Sequence, residues 1–530
     1  MARLVAAAAP ALLTLGRFRN GFVFDDVFVI VRGTFIHDPA NLKRVLFVRT
    51  MAASSLDAAA GQPGMDTYRP VPIASFMLDA ALSGHQPWAY HATNMLLHAA
   101  VCVLFFEIAR VLLPEARIGL WLGLSLAFGL SPWLSEAHVW INGRSDLWAT
   151  LFGLGALLGQ RAQLERPRWW LAGVVGVSAL LALMSKETAL LLLVLVALVP
   201  LPTPASLRTR LVAALPLALA VGVYLALRSA ALSGLRSHEG GAQLREALHN
   251  LPLITLDGAL HSLLPSYYAL RSLQDDYATL APLWHGLALC ALLLALILSA
   301  LSLRRQPLLV WSLALAFATL APAALITAAL WPGFGRYLYT PSVGFVLAFG
   351  CGVHQLQRRA PAYSRATALA PWLLAALHVP FLLDATAVFR DEQALYARAI
   401  ERAPTQAWSY GFLGLAQKRD GDCDGAIALL NRAATDAPDE PRYALQLGHC
   451  LLSKGARAEV QALAARGIQR FSGTRAEAGF LALSFASLPT RDPTRAAPLL
   501  RRCVQLDPRR SECAQALREV EAELAEHAPP

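Results

Sequence analysis

Asp25 and Asp26 are adjacent carboxylates in the stretch Asn20-Gly-Phe-Val-Phe-Asp-Asp-Val-Phe-Val29, just beyond the first apolar run of the chain. Held among aromatic side chains, such a pair is costly to keep ionised away from water. A carboxylate in that setting suits proton abstraction from a hydroxyl. A solvated turn or the start of a helix uses the same residues, and both readings stand at this point. Similar groups recur between later apolar runs. Segment 66–98 brings Arg69, then His91, Asn94 and His98, whose i, i+3, i+7 spacing puts them on one helix face. That stripe faces either a cavity or a partner helix with which it hydrogen-bonds. Segment 131–146 brings Glu136, His138, Arg144 and Asp146. Ser185-Lys186-Glu187 joins two apolar runs, where Lys186 and Glu187 either pair with each other or face the same site. Trp331–Ser342 sets Arg336 among aromatics. We expect Asp25, Asp26, Arg69, Glu136, Arg144, Asp146, Lys186, Glu187 and Arg336 to converge on one site at the outer leaflet of a membrane. No residues show metal-ligand spacing, so no metal ligand is assigned and a need for a divalent metal stays open.

Composition positions these groups. The 530 residues are 56% apolar and 15% charged, with mean hydropathy +0.45, where about 25% charged is usual in a soluble protein. Apolar runs recur from residue 2 into the 380s and then stop. The expected fold is all-α: a polytopic membrane protein over residues 1–390 and a helical tail over 391–530. The formal charge of +10 does not signal nucleic acid, because the arginines punctuate the apolar runs and form no patch. Only Lys43, Lys186, Lys418 and Lys454 among the 46 basic residues are lysines, a skew that fits genomic base composition better than binding.

A spanning helix needs about 20 apolar residues. Eleven segments qualify within several residues at each end: 2–16, 89–112, 117–131, 147–163, 169–184, 187–202, 209–229, 281–303, 308–330, 341–357 and 367–387. The first is read as a retained helix, since Arg17 and Arg19 follow it where a cleaved signal peptide would carry small residues. Arg110 and Arg117, then Arg161, Arg166 and Arg168, then Arg208 and Arg210, then Arg304 and Arg305, then Arg358, Arg359 and Arg365 fall in alternate connections. By the positive-inside rule those connections and the N-terminus are cytoplasmic, in the inner membrane. The long connection 17–88, the other acid-bearing connections and the tail are then extracytoplasmic.

The tail reads as a helical-repeat array. Tyr410, Leu413, Gly414, Ala426, Leu430, Ala433 and Pro438 fall on the tetratricopeptide pattern, Leu447 and Gly448 repeat it 34 residues on, and Ala496, Leu500, Cys503 and Pro508 close a third unit offset by two residues. Small residues let the two helices of a repeat approach, and proline ends the second helix. Of seven cysteines, Cys102, Cys290 and Cys351 lie in apolar runs, and Cys423, Cys450, Cys503 and Cys513 lie in the tail. In an oxidising compartment, Cys423–Cys450 and Cys503–Cys513 are one of three possible pairings, with the all-reduced state also open.

The order of Phe-Val-Phe-Asp-Asp26, Tyr68-Arg-Pro-Val-Pro-Ile-Ala-Ser-Phe76, His91-Ala-Thr-Asn-Met-Leu-Leu-His-Ala99, Glu136-Ala, Trp140-Ile, Gly143-Arg-Ser-Asp-Leu147, Ser185-Lys-Glu-Thr188 and Arg336-Tyr-Leu-Tyr-Thr-Pro-Ser342 resembles the transmembrane and tetratricopeptide-repeat O-mannosyltransferases. The chain looks like a bacterial relative of that family. The resemblance implies a C-type glycosyltransferase fold with an outer-face active site. It implies a sugar, mannose or another hexose, carried on polyprenyl phosphate, and an inverting transfer to a hydroxyl of a protein held by the repeats. It maps the catalytic base onto Asp25, with Asp26 as neighbour or alternate. Donor phosphate and sugar contacts fall to Arg69, His91, Glu136, Arg144, Asp146, Lys186, Glu187, Arg336 and Tyr339. A lipid-linked sugar donor is then the cofactor-like requirement the resemblance implies, with a divalent metal still open. The chain departs from the family at Ser131-Pro-Trp-Leu-Ser-Glu-Ala137, where two histidines of the usual His-Pro-x-His-Thr-Glu-Ala are replaced by Ser131 and Leu134, and it has fewer repeats. Sugar and acceptor therefore stay open. The alternatives are the same fold acting on a lipid or cell-surface glycan, and a non-catalytic membrane scaffold. A transporter is disfavoured, because the ionisable groups gather at one face.

Overall fold

The computed structural model describes residues 1–50, 67–201, 205–232, 241–270, 277, 280–330, 335–488 and 492–526. Parts of the connections 17–88 and Trp331–Ser342 lie outside them. The described residues are helical with no strand, and the chain divides into two compact units, Met1–Leu395 and Tyr396–Pro530.

In the first unit the main helices are α1 (Ala2–Leu13), α2 (Pro70–Ser83), α3 (Trp88–Leu112), α4 (Ile118–Gly129), α5 (Arg144–Glu165), α6 (Trp169–Ser185), α7 (Ala189–Ala197), α8 (Leu207–Leu232), α9 (Gly241–Leu263), α10 (Pro282–Ser302), α11 (Pro307–Leu330), α12 (Tyr339–Arg359) and α13 (Ala370–Val388). Each of the eleven apolar segments overlaps one of these helices. Among the described residues, length and hydropathy together qualify α3, α8, α10 and the stretch Pro361–Val388 as spans, with a fifth if the bent pair Ile118–Gly129 and Pro132–His138 counts as one. The count falls short of eleven for physical reasons. The helix in segment 187–202 has nine residues and that in 2–16 has twelve, and α5 carries Arg144, Asp146, Arg161 and Glu165.

Two helices lie in stretches read as connections. α2 falls within 17–88 and α9 within 230–280. The hydropathy of α9 is diluted by polar residues that face inward: Asn250, Thr255 and Ser262 are buried. α1 packs on α3 and α4, α5 on α3 and α6, α13 on α4, and α11 on α9 and α12. The α11–α12 approach depends on Gly344, where a Cβ would collide with the backbone at Ser312 and Ala316.

The second unit contains six helices in succession, α14 (Ala407–Arg419), α15 (Cys423–Asp436), α16 (Pro441–Ser453), α17 (Arg457–Arg470), α18 (Arg475–Ala486) and α19 (Pro493–Leu506), followed by α20 (Ser511–Glu526). First helices begin at 407, 441 and 475, a spacing of 34. Gly421 and Gly455, also 34 apart, take positive φ of 88° and 75° in the turns within successive pairs, where a side chain would be strained. Ala426, Leu430, Leu447, Val460, Ala464 and Phe480 share one core. Disulfides join Cys423 to Cys450 and Cys503 to Cys513, with Cα–Cα distances of 5.2 and 6.3 Å. Each ties one helical pair to the element that follows it.

Alkylation of the denatured chain with a maleimide is expected to add three labels before reduction, at Cys102, Cys290 and Cys351, and seven after it. Intact-mass measurement reads this directly; seven labels without reductant would contradict both disulfides.

Candidate active site

The loop after α1 and the short turns before α5 form one structure. Trp140 donates its indole N–H to the carbonyl of Val23 at 3.2 Å and packs on Phe24 with ring centroids 5.6 Å apart. Phe24 has φ of 55°, the only positive value at a non-glycine among the described residues. Left-handed backbone at a bulky residue is strained. It directs the next two carboxylates into different surroundings. Asp26 is buried and fully engaged with the backbone: its carboxylate accepts from the N–H of Val23 at 3.1 Å and of Asn142 at 2.9 Å. Asp25 is half-buried and faces the Asn142 side chain and the Arg336 guanidinium. Burial raises the Asp25 pKa above the usual carboxylate value, while Arg336 and the Asn142 hydrogen bond oppose the rise. Burial raises Asp26 further, with the Asp25 charge adding to it.

Arg336 stands in the turn Gly335–Leu338 that precedes α12. Its guanidinium lies 4.8 Å from the Trp140 ring centroid, donates to the Tyr337 hydroxyl at 3.2 Å, and approaches Glu136 Oε1 at 3.7 Å. Burial works against that charge, but Tyr337, Glu136 and Asp25 hold its pKa above the ordinary arginine value. Gly335 allows the approach, since a Cβ there would sit 2.9 Å from Glu136 Oε2 and 2.5 Å from the Trp133 carbonyl. Glu136 Oε2 accepts from the Tyr268 hydroxyl at 2.8 Å. Arg336 Nη1 and Glu136 Oε1 are both buried and make no hydrogen bond.

The structure thus brings Asp25, Asp26, Glu136 and Arg336 together and distributes the other candidates around them. Arg144 is wholly buried. It donates to Asn94 Oδ1 at 2.7 Å, Ser75 Oγ at 3.2 Å and the Tyr90 carbonyl at 2.8 Å, and pairs with Asp79 at 2.5 Å. Its side chain has no exposed surface, so it stands in the interior. Asn94 in turn donates to the carbonyls of Trp140 and Ile141 at 3.0 and 3.1 Å. Lys186 and Glu187 do not pair with each other. Lys186 binds Asp146 at 2.6 and 2.8 Å, and Arg69 holds Glu187 with two hydrogen bonds, 3.1 and 2.6 Å. Asp146 and Lys186 line a separate cleft with Thr188, Tyr337 and Thr340.

His91 and Tyr339 lie behind the site. His91 Nε2 is 3.2 Å from the Asn20 carbonyl, to which it donates. His98 Nε2 faces the Gly129 carbonyl at 3.0 Å and must donate there, so its Nδ1 accepts from the Tyr339 hydroxyl at 2.7 Å. His98 stacks on His138 at 3.9 Å, and the buried Arg17 donates to the His138 carbonyl at 2.7 Å and to His138 Nδ1 at 3.1 Å. Residues beyond the sequence expectations are therefore Arg17, Asp79, Trp140, Asn142, Tyr268 and Tyr337. Asp79 carried a readable signal, a lone acid within the apolar run 70–82. Among the described residues no three His, Cys, Asp or Glu side chains converge as metal ligands.

No protein-family profile matches the chain. It is similar to Protein O-mannosyl-transferase Tmtc1 of Drosophila melanogaster, 34% identical over 194 residues, which is 36% of this chain and 22% of the relative. The human Protein O-mannosyl-transferase TMTC3 is 32% identical over 138 residues, 26% of this chain and 14% of the relative. The human Protein O-mannosyl-transferase TMTC2 is 43% identical over 93 residues, 17% of this chain and 11% of the relative. The matched part of the chain spans less than a quarter of the length of these relatives. Over these stretches the chain is thus similar to three proteins that share the description protein O-mannosyl-transferase.

Arg144→Gln is expected to cost about 3–5 kcal/mol, because it strands the Asp79 charge in the interior. Combining it with Asp79→Asn should recover part of that loss. Thermal unfolding of the detergent-solubilised chain measures both, and an unchanged midpoint for Arg144→Gln would remove the residue from this role.

Proposed function

We propose that the chain is a membrane glycosyltransferase that moves a hexose from a polyprenyl-phosphate donor to a hydroxyl of a protein acceptor, with inversion. The names of the relatives make mannose the first sugar to test. One observation carries the reading: of two adjacent acids, Asp26 is consumed by backbone N–H groups, whereas Asp25 stays half-exposed opposite the Arg336 guanidinium. Inversion requires a base that takes the acceptor proton as the oxygen attacks the anomeric carbon. Asp25 fills that role, with a pKa raised by burial toward a useful basicity. The donor's C–O bond breaks in the same step, and the leaving phosphate gathers the negative charge. Arg336, whose Nη1 has an unused hydrogen-bonding position, supports that charge. A phosphate on Arg336 also draws the guanidinium's attraction away from Asp25, which makes the carboxylate a stronger base when the donor is bound.

Asp26 is a positioning residue in this scheme, and so are Arg144 and Asn94, which fix the Trp140–Asn142 turn. Lys186, Asp146, Arg69 and Glu187 form the further donor-side surface, and His91 and Tyr339 support it from behind. The tail, as a tetratricopeptide-type array, supplies the acceptor-binding surface. Its two disulfides favour an oxidising, extracytoplasmic location, which agrees with the arginine distribution. The acid-bearing connections then face outward and the membrane is the inner one.

Asp25→Asn should abolish transfer from a polyprenyl-phosphate hexose while the protein inserts and unfolds as the parent does; unchanged transfer would exclude Asp25 as the base. Asp26→Asn should instead lower stability, since its carboxylate anchors two backbone groups. The pH profile has a definite sign. A base works ionised, so kcat/KM rises as pH climbs through the raised pKa of Asp25. Arg336→Gln removes the opposing charge, and the acidic limb should shift to higher pH; a shift to lower pH would contradict the pairing.

A further inference from the structure

The loop that holds Asp25 runs on into a segment with two unlike sides. Ile30, Phe35, Ile36 and Val45 are buried in one core with residues of α2 and with Tyr90 of α3. The 3-10 turns Pro39–Phe47 contribute only Val45 to that core. Leu42, Leu46 and Phe47 are 59%, 41% and 60% exposed, and Lys43 and Arg44 stand exposed between them. Large apolar side chains gathered on an outward side mark a surface that something covers. The cations beside them are not neutralised. Arg44 donates to Asn41 Oδ1 at 3.2 Å and lies over Phe35, and the exposed Arg32 lies over Phe28. Among the described residues none of Arg32, Lys43 and Arg44 forms an ion pair. Asp38, the acid that precedes the segment, is spent as its cap and accepts from the Ala40 N–H at 2.9 Å.

The neighbours of the segment give its level. It packs on α2 and on α8. The Leu46 carbonyl accepts from the Tyr68 hydroxyl at 2.8 Å, and the Tyr68 ring lies 6.0 Å from that of Tyr224. Tyr224 stands about two turns before the last described residue of α8, a helix long and apolar enough to cross a membrane. Exposed Trp88 opens α3, another such helix, and α2 packs on α3. Tryptophans at the ends of spanning helices collect at the depth of lipid headgroups. Apolar side chains interleaved with unpaired cations at that depth match the boundary between acyl chains and phosphates. A second copy of the chain is a poor fit, because a twofold contact would set these cations against their own counterparts.

We infer that Pro39–Phe47 is a membrane seat selective for anionic phospholipid: Leu42, Leu46 and Phe47 enter the acyl boundary of the leaflet on the Asp25 side, and Arg32, Lys43 and Arg44 take up headgroup phosphates. The seat stands apart from the transferase reading and holds whatever ligand Asp25 meets. Its consequence for the site is one of depth. Phe22, three residues before Asp25, packs against the same core as Val45, so seating the segment fixes the height of the Asp25 loop relative to the phosphate plane.

The test uses the chain's scarcity of lysine. Lys43 is one of four; Lys186 is buried against Asp146, and Lys454 in the second unit is exposed. The full chain in neutral detergent is treated with an amine-acylating reagent while phosphatidylglycerol or phosphatidylcholine is titrated in. Peptide mass spectrometry reads acylation of Lys43 against that of Lys454. Phosphatidylglycerol should half-protect Lys43 at an about tenfold lower mole fraction than phosphatidylcholine. Arg32→Gln combined with Arg44→Gln keeps the reporter and should remove most of that difference. Leu42→Asn combined with Phe47→Asn should weaken protection by both lipids about fivefold or more, since both rely on the apolar contact. Both double variants change exposed side chains, and an unfolding midpoint equal to the parent's confirms that each folds. Glycerol phosphate, a headgroup without chains, should not protect. Equal protection by the two lipids overturns the inference, as does a lipid preference that survives in the arginine double variant. Protection by glycerol phosphate overturns it in favour of a free-anion site. Protection that rises with protein concentration in the absence of lipid overturns it in favour of a second copy.

Discussion

A wholly buried guanidinium is the constraint on which this end of the helical bundle depends. Taking the Arg144 charge out of water costs several kcal/mol unless its donors are met at once. They are met by side chains and a carbonyl from α2 and α3: Asp79, Ser75, Asn94 and Tyr90. Those helices and α5 can therefore pack in only one register without stranding a charge. Asn94 is used on both sides of its amide, and its Nδ2 fixes the carbonyls of Trp140 and Ile141. That settles where the N–H of Asn142 points, and the N–H holds Asp26. A chain of contacts thus runs from Asp79, inside the bundle, to the carboxylate beside Asp25.

The second constraint is local. Neighbouring acids would compete for the same surroundings unless the backbone turned between them. The left-handed Phe24 supplies the turn, at a cost of about 1–3 kcal/mol. Packing on Trp140 and the indole hydrogen bond to Val23 offset it. The outcome is a division of labour: one carboxylate becomes part of the scaffold and the other remains free to meet a ligand. Asp25 and Asp26 are chemically the same residue, and only this geometry makes them unequal.

That inequality marks the limit of what the sequence disclosed. The apolar runs located the main helices of the first unit other than α2 and α9, because burial or lipid contact demands them. The acid pair and Arg336 stood out because charge among aromatics is expensive. α9 escaped, since Asn250, Thr255 and Ser262 face inward and dilute its hydropathy into that of a connection. The ion pairs were also hidden: adjacency suggested Lys186 with Glu187, whereas the fold pairs Lys186 with Asp146 and Glu187 with Arg69, partners 40 and 118 residues away. Arg144 has the same type and setting in sequence whether it binds a phosphate or a buried aspartate. Only its complete burial separates the two.

Charge balance explains why ligand chemistry is best read at Arg336. Arg144 with Asp79, Lys186 with Asp146 and Arg69 with Glu187 are closed pairs at hydrogen-bonding distance. Arg336 is shared among Asp25, Glu136 and two aromatic rings, and its nearest carboxylate oxygen stands at 3.7 Å. Both atoms of that long contact, Arg336 Nη1 and Glu136 Oε1, lack a hydrogen bond. A buried donor and acceptor left unmet side by side cost more than either would after a small side-chain shift. The fold tolerates the cost because the rings and Gly335 hold the two groups in place. A ligand oxygen entering there gains hydrogen bonds without first having to reorganise the protein, which is the condition under which a fixed charge stabilises a reaction most.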